Sequence, residues 1–198
     1  HAAESSHLQD MLAAMDLQTL VADEPARLAI DALLVLPEER QRNVVRFWIR
    51  QQGLPLPSAA HLQRVFSDVM HSRADANPCV SWKGVEVRRY RDALYLLPQN
   101  DTKALEQDLF WEMTQPLSIS GAGILKAEAV EGMGVDKMRL QDGVTVRFRQ
   151  GGERMHPAGR QHSRDLKHLF QEAGVPPWQR DRIPLLFKDK ELVAVPGL

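Results

Sequence analysis

Several things are scarce in this chain, and each scarcity excludes something. One cysteine, Cys79, stands in 198 residues, so neither an intrachain disulfide nor a multi-thiolate metal site can form. That usage suits a reducing, cytoplasmic compartment. No apolar run approaches the roughly 18–20 residues that span a bilayer, so no membrane partner is expected. The opening residues HAAESSHLQDML lack the basic-then-apolar order of a secretory signal. The chain starts at His1 rather than Met, and its helical opening predicts a fragment of a longer protein.

Catalytic signatures are also missing. Ser118 and Ser120 lie beside Gly121, but ISGAGI is neither G-x-S-x-G nor a phosphate loop ending in Lys-Ser/Thr. His156, His162 and His168 are six apart, which is not a usual metal-ligand spacing, and no H-E-x-x-H accompanies them. Cys79 sits in an apolar strand and reads as core. No ATP site is visible.

What is present is an ordinary globular composition, 43% hydrophobic and 26% charged with net charge −1, on a length that allows one or two domains. Charge is unevenly placed. Residues 1–36 hold six carboxylates against Arg27 alone, a local −5, which argues against a nucleic-acid face there. Between Arg147 and His168, six cations (Arg147, Arg149, Arg154, Arg160, Arg164, Lys167) meet only Glu153 and Asp165, a local +4. A concentrated basic surface on a neutral chain fits a polyanion, and it fits a solvated charge cluster equally well.

Periodicity predicts an α+β chain: a helical bundle closed by a small antiparallel meander (1–98), a linker that could also form a short helix (99–114), and a compact β-rich domain with one short helix (115–198). Leu8, Met11, Leu12 and Met15 form a helical stripe, and 25–36 reads as a second helix. A third starts at Pro37-Glu38-Glu39, buries Val44, Val45, Trp48 and Ile49, and carries Arg42, Arg46 and Arg50 opposite. Ser58 caps a fourth, with Leu62, Val65, Phe66, Val69 and Met70 inward. Three strands follow: CVSW, VEVRRY and ALYLL. In the second half PLSIS, ILKAEAV, KMRL, VTVRF, IPLLF and ELVAV read as strands. A helix over 163–173 would place Leu166, Leu169, Phe170 and Ala173 on one side and Arg164, Lys167, His168 and Gln171 on the other. Its N-terminus and the glycines of the preceding loop would also favour an anion.

At GGERMHPAGRQHSRDLKHLFQEAGVPPWQRDRIPLLFKDKELVAVPG the sequence resembles the C-terminal end of the bacterial tRNA(Ile)-lysidine synthetase family. LPEERQRNVVRFWIRQQGLPLPSAAHLQRVF and NPCVSWKGVEVRRYRDALYLL resemble its middle, substrate-specificity region. The resemblance covers nearly the whole chain. It implies an ATP-dependent ligase that joins lysine to the wobble cytidine of the CAU-anticodon isoleucine tRNA. ATP and magnesium would belong to a PP-loop domain whose S-G-G-x-D-S motif does not occur here. The partners implied are tRNA for this chain, with lysine and ATP for the parent. By motif position the resemblance assigns tRNA contacts to Arg147, Arg149, Arg154, Arg160, His162, Ser163, Arg164 and Lys167, with Arg182, Arg42 and Arg46 added. Arg180 and Arg182 flank Asp181, which offers them an internal salt bridge instead. The other reading is a docking or dimerisation module, with the acidic 1–36 segment as partner to the basic one.

Overall fold

The computed structural model describes residues 2–20, 24–73, 76–99, 108–132, 134–156 and 162–198. The chain divides into two compact units, His1–Asp101 and Thr102–Leu198, and its class is α+β.

In the first unit, helix α1 (Ala2–Leu20) packs on α3 (Glu38–Gln51). Pro37 stands at the N-cap of α3 with Glu38 and Glu39 in the first turn, where acids offset the exposed N–H groups. Val44, Val45, Trp48 and Ile49 are fully buried, and the Trp48 indole N–H donates to the Pro25 carbonyl at 2.7 Å. Gly53, at φ +67°, turns the chain out of the helix. Ser58 accepts the His61 N–H at 3.3 Å and so starts α4 (Ala59–Arg64), which runs on as a π-helical turn, Val65–Met70. All five predicted inward residues of this segment are buried.

Strands β2 (Cys79–Trp82), β3 (Val85–Tyr90) and β4 (Ala93–Pro98) form the predicted meander. Lys83 and Arg91, both at positive φ, make its tight turns. Arg89 donates to the carbonyls of Met70 and Ser72, so the Arg88–Arg91 run ties the hairpin to the π-helical turn. Burial pushes the Cys79 thiol up, with Arg88 opposing and Glu86 reinforcing the shift, consistent with a thiol that stays protonated.

Two expectations fail in this unit. Within 25–36, Arg27–Ala29 is strand β1 and only Ile30–Leu34 is helix (α2). The Arg27–Ala29 backbone pairs with Tyr95–Ala93 of β4, a partner more than sixty residues away that no local period reveals. The stripe Leu8, Met11, Leu12 and Met15 faces outward, with Leu8 61% and Met15 64% exposed. Ala13, Asp16 and Leu20 form the buried face instead. Ala13 and Leu20 join the apolar core with Val44, Val45 and Trp48, and Leu17 packs against it. On the same side Asp16 receives the Arg40 guanidinium and Asp10 pairs with Arg50 at 2.6 Å.

The second unit is built on a six-stranded sheet in the order β10 (Arg164–Asp165), β9 (Arg154–Met155), β12 (Glu191–Ala194), β11 (Leu185–Lys188), β8 (Val144–Arg147) and β5 (Leu109–Trp111). Pairing is antiparallel except between β12 and β9. A separate hairpin joins β6 (Leu117–Ile119) and β7 (Gly123–Leu125). One apolar cluster holds Trp111, Ile119, Val144, Val146 and Leu186. The other packs Leu166, Leu169 and Phe170 of α5 (Leu166–Glu172) on Leu185 and Leu192. Gly174, at φ +73°, stops α5, and the Val175 N–H closes on the Phe170 carbonyl at 2.9 Å.

Here too the structure differs from expectation. Leu109–Trp111, inside the stretch read as linker, is strand β5, paired with β8; 100–107 lie outside the described residues. KMRL is a 3-10 turn, because the Asp136 carboxylate accepts the Met138 N–H at 2.9 Å and nucleates it. ILKAEAV is strand only to Leu125. The predicted 163–173 helix begins at Leu166, its first residues being drawn into β10 by pairing with β9. A further helix, α6 (Pro177–Arg180), has proline in its first turn, where the missing N–H costs nothing.

Candidate nucleic-acid interface

The β9–β10 hairpin and α5 bring together Arg154, Ser163, Arg164, Asp165, Lys167, His168 and Glu172. Asp165 lies opposite Arg154 in register. The Arg154 guanidinium donates to Asp165 Oδ1 at 2.8 Å, to the Ser163 carbonyl at 2.8 Å and to Ser163 Oγ at 3.2 Å. Arg164 grips both oxygens of Glu172 with its fork, one bond at 2.8 Å. That hydrogen-bonded carboxylate holds the Arg164 guanidinium above its ordinary pKa. His168 Nδ1 is 3.8 Å from Asp165 Oδ2.

Arg149 sits at the Gly151-Gly152 loop. Its Nη1 is 3.4 Å from Asp181 and its Nε 3.6 Å from Glu153 Oε2. The other Glu153 oxygen accepts the N–H groups of Gln150 and Gly151 at 2.5 and 2.7 Å. Of the loop glycine amides expected to meet a phosphate, that of Gly151 therefore already holds a carboxylate, and Gly159 lies outside the described residues. Arg147 donates to Asp108 at 2.8 Å and lies over the Phe187 ring at 5.0 Å. It is on β8, separated from β9 by β11 and β12, or about 14 Å at the usual strand spacing. The basic residues thus form a hairpin group, a loop group and a lone strand arginine, not one stripe.

Each of the four described arginines from 147 to 164 faces at least one carboxylate. Sequence counting missed this because Asp108, Glu172 and Asp181 come from outside the basic window or from the helix flank. Arg164 and Glu172 are eight apart, a spacing that suggests no pair until Arg164 is known to precede the helix rather than belong to it. Lys167 and Arg182 are exposed and have no ion-pair partner among the described residues; His162 and Ser163 are also exposed. Arg160 lies outside the described residues. Arg180 is 6% exposed and donates to the Val175 carbonyl at 2.8 Å, a brace within the fold. Asp181, which the sequence sets between Arg180 and Arg182, lies 3.4 Å from Arg149. In the first unit Arg42 is held by Glu38 and Gln63 at 2.7 and 2.6 Å, whereas Arg46 is exposed with no such partner among the described residues. No group of three or more His, Cys, Asp or Glu residues among those described is arranged to hold a metal.

Two family models match the chain: the TilS substrate binding domain over residues 28–95 and the TilS substrate C-terminal domain over residues 144–198. The second covers β8 to the C-terminus, including Arg147, Arg149, Arg154 and Arg164. Proteins named tRNA(Ile)-lysidine synthase are similar along the chain. That of Coxiella burnetii is 41% identical over 198 residues, covering 100% of this chain and 44% of that protein. That of Methylococcus capsulatus is 38% identical over 199 residues, covering 100% and 45%. That of Serratia proteamaculans is 41% identical over 202 residues, covering 99% and 44%. The chain spans a little under half the length of these curated relatives. It therefore belongs to the tRNA(Ile)-lysidine synthase family, of which it carries the substrate-binding and C-terminal domains.

Proposed function

We propose that this chain is the tRNA-holding part of a lysidine-forming ligase, with the second unit gripping the RNA backbone. The observation that carries this reading is the coincidence of the C-terminal family model with the arginine-bearing sheet and α5. The parent reaction is the ATP-dependent joining of lysine to the wobble cytidine of the CAU-anticodon isoleucine tRNA, in the cytoplasm. ATP and magnesium belong to the parent's PP-loop domain. Residues 1–98 act as its middle, substrate-specificity domain, with Arg42 and Arg46 as contacts. In the second unit Arg147, Arg149, Arg154, His162, Ser163, Arg164, Lys167 and Arg182 are the contact set.

A-form RNA is met mainly through phosphates and 2′-hydroxyls, which suits arginine forks and one hydroxyl, Ser163. Lys167 and Arg182 engage first, since neither must leave a described carboxylate. In filter binding with total bacterial tRNA, log affinity falls with log salt at a slope of several units. Lys167→Ala with Arg182→Ala weakens binding to every RNA alike and flattens that slope by about 2. A salt-independent affinity, or an unchanged slope in the double variant, overturns the reading.

A second reading, a homodimer, is favoured by one observation, the outward apolar stripe of α1. Such a patch on a soluble surface commonly marks a contact site. Light scattering then gives twice the chain mass, falling to the single mass in Met15→Glu; a single mass for the unaltered chain rejects the dimer.

A further inference from the structure

Arginine binds carboxylate and phosphate with the same planar fork. The second unit uses that equivalence on itself. Arg164 holds both oxygens of Glu172, and Arg154 holds Asp165 at 2.8 Å with two further donors on Ser163. Both carboxylates are exposed, Glu172 at 55% and Asp165 at 47%. Exposed pairs of this kind are worth only about 0–1 kcal/mol, so a ligand of suitable charge displaces them readily. Glu153 differs: it is 11% exposed and anchored by two backbone N–H groups, so it stays in place and shapes the loop.

The consequence is electrostatic. Long-range attraction for RNA scales with net charge, and these pairs cancel it at the hairpin. Short-range recognition by the forks survives, because a correctly placed phosphate takes the position that the carboxylate vacates. Penalising wrong partners in this way is a recognised route to specificity. We infer that Asp165 and Glu172 are specificity-determining residues that occupy Arg154 and Arg164 as internal stand-ins for RNA phosphate and suppress indiscriminate RNA binding. This rests on the tRNA-binding reading above.

The test compares Glu172→Gln and Asp165→Asn with the unaltered 198-residue chain, by fluorescence anisotropy. The probes are total bacterial tRNA and a blunt RNA duplex of about 16 base pairs, the length a double-stranded-RNA domain covers. Either variant tightens duplex binding by up to about fivefold, the most that an exposed pair supplies, and steepens the salt slope. The ratio of tRNA to duplex affinity falls. Adding Arg164→Ala abolishes the effect of Glu172→Gln. Unchanged or weaker duplex binding in both variants overturns the inference, because the pairs would then organise the arginines and not compete for them. A failure of the tRNA-binding reading looks different: Lys167→Ala with Arg182→Ala would leave affinity and slope unmoved. Circular dichroism identifies a misfolded variant, in which case the remaining substitution decides.

Discussion

Phe170→Ala lowers the stability of the second unit by about 4 kcal/mol, within the range for emptying a buried aromatic site. Phe170 is fully buried among Leu166, Leu169, Leu185, Leu192 and Val195. Helix α5 has only seven residues, far below the length at which a helix persists in water, so this packing is what keeps it formed. The effect reaches the interface, because α5 carries Lys167 and the Glu172 partner of Arg164. Phe170→Leu retains most of the volume and costs about 1 kcal/mol. Urea denaturation followed by tryptophan fluorescence measures both. A loss below about 1 kcal/mol for Phe170→Ala would mean that α5 is not seated on the sheet as described.

Gly143→Ala costs about 3 kcal/mol, from two separable sources. At φ +80° any side chain strains the backbone. An added Cβ would also lie 2.7 Å from Phe110 Cζ and 2.8 Å from the Trp111 carbonyl oxygen. Phe110 is exposed and can swing aside. The Trp111 carbonyl cannot, since Trp111 is paired with Val144 in the sheet. The substitution therefore pries β5 from β8 and loosens the Asp108–Arg147 pair at that edge. Gly53→Ala provides the control: φ is +67° there, but nothing lies within 4 Å of the new Cβ, leaving only the backbone strain of about 1 kcal/mol. Thermal unfolding of the two variants separates the contributions. Equal losses would show that the contact with β5 is relieved without cost.

Local physics settled a good part of this protein in advance. Helix α3 and strands β2, β3 and β4 follow from apolar periodicity bounded by Pro37, Gly53 and tight turns, signals that act over a few residues. The motif from Gly151 to Gly197 and the one from Leu36 to Leu97 named the family, and the models matching 28–95 and 144–198 agree. Other features were settled only when distant parts of the chain met. Strand β1 exists because β4 offers it an edge, and β5 because β8 does. The outward face of α1 is fixed by what Ala13, Leu17 and Leu20 meet in the core, with Arg40 and Arg50 of α3 pairing Asp16 and Asp10 on the same side. Above all, the charge of the arginine face is tertiary. A window of sequence sums to +4, but Asp108, Glu172 and Asp181 arrive from other elements and pair with arginines inside it. Ion pairs act over a few ångströms regardless of how many residues separate the partners along the chain. Residue types alone could count the basic groups in this window; only the fold shows that most of them already hold a carboxylate.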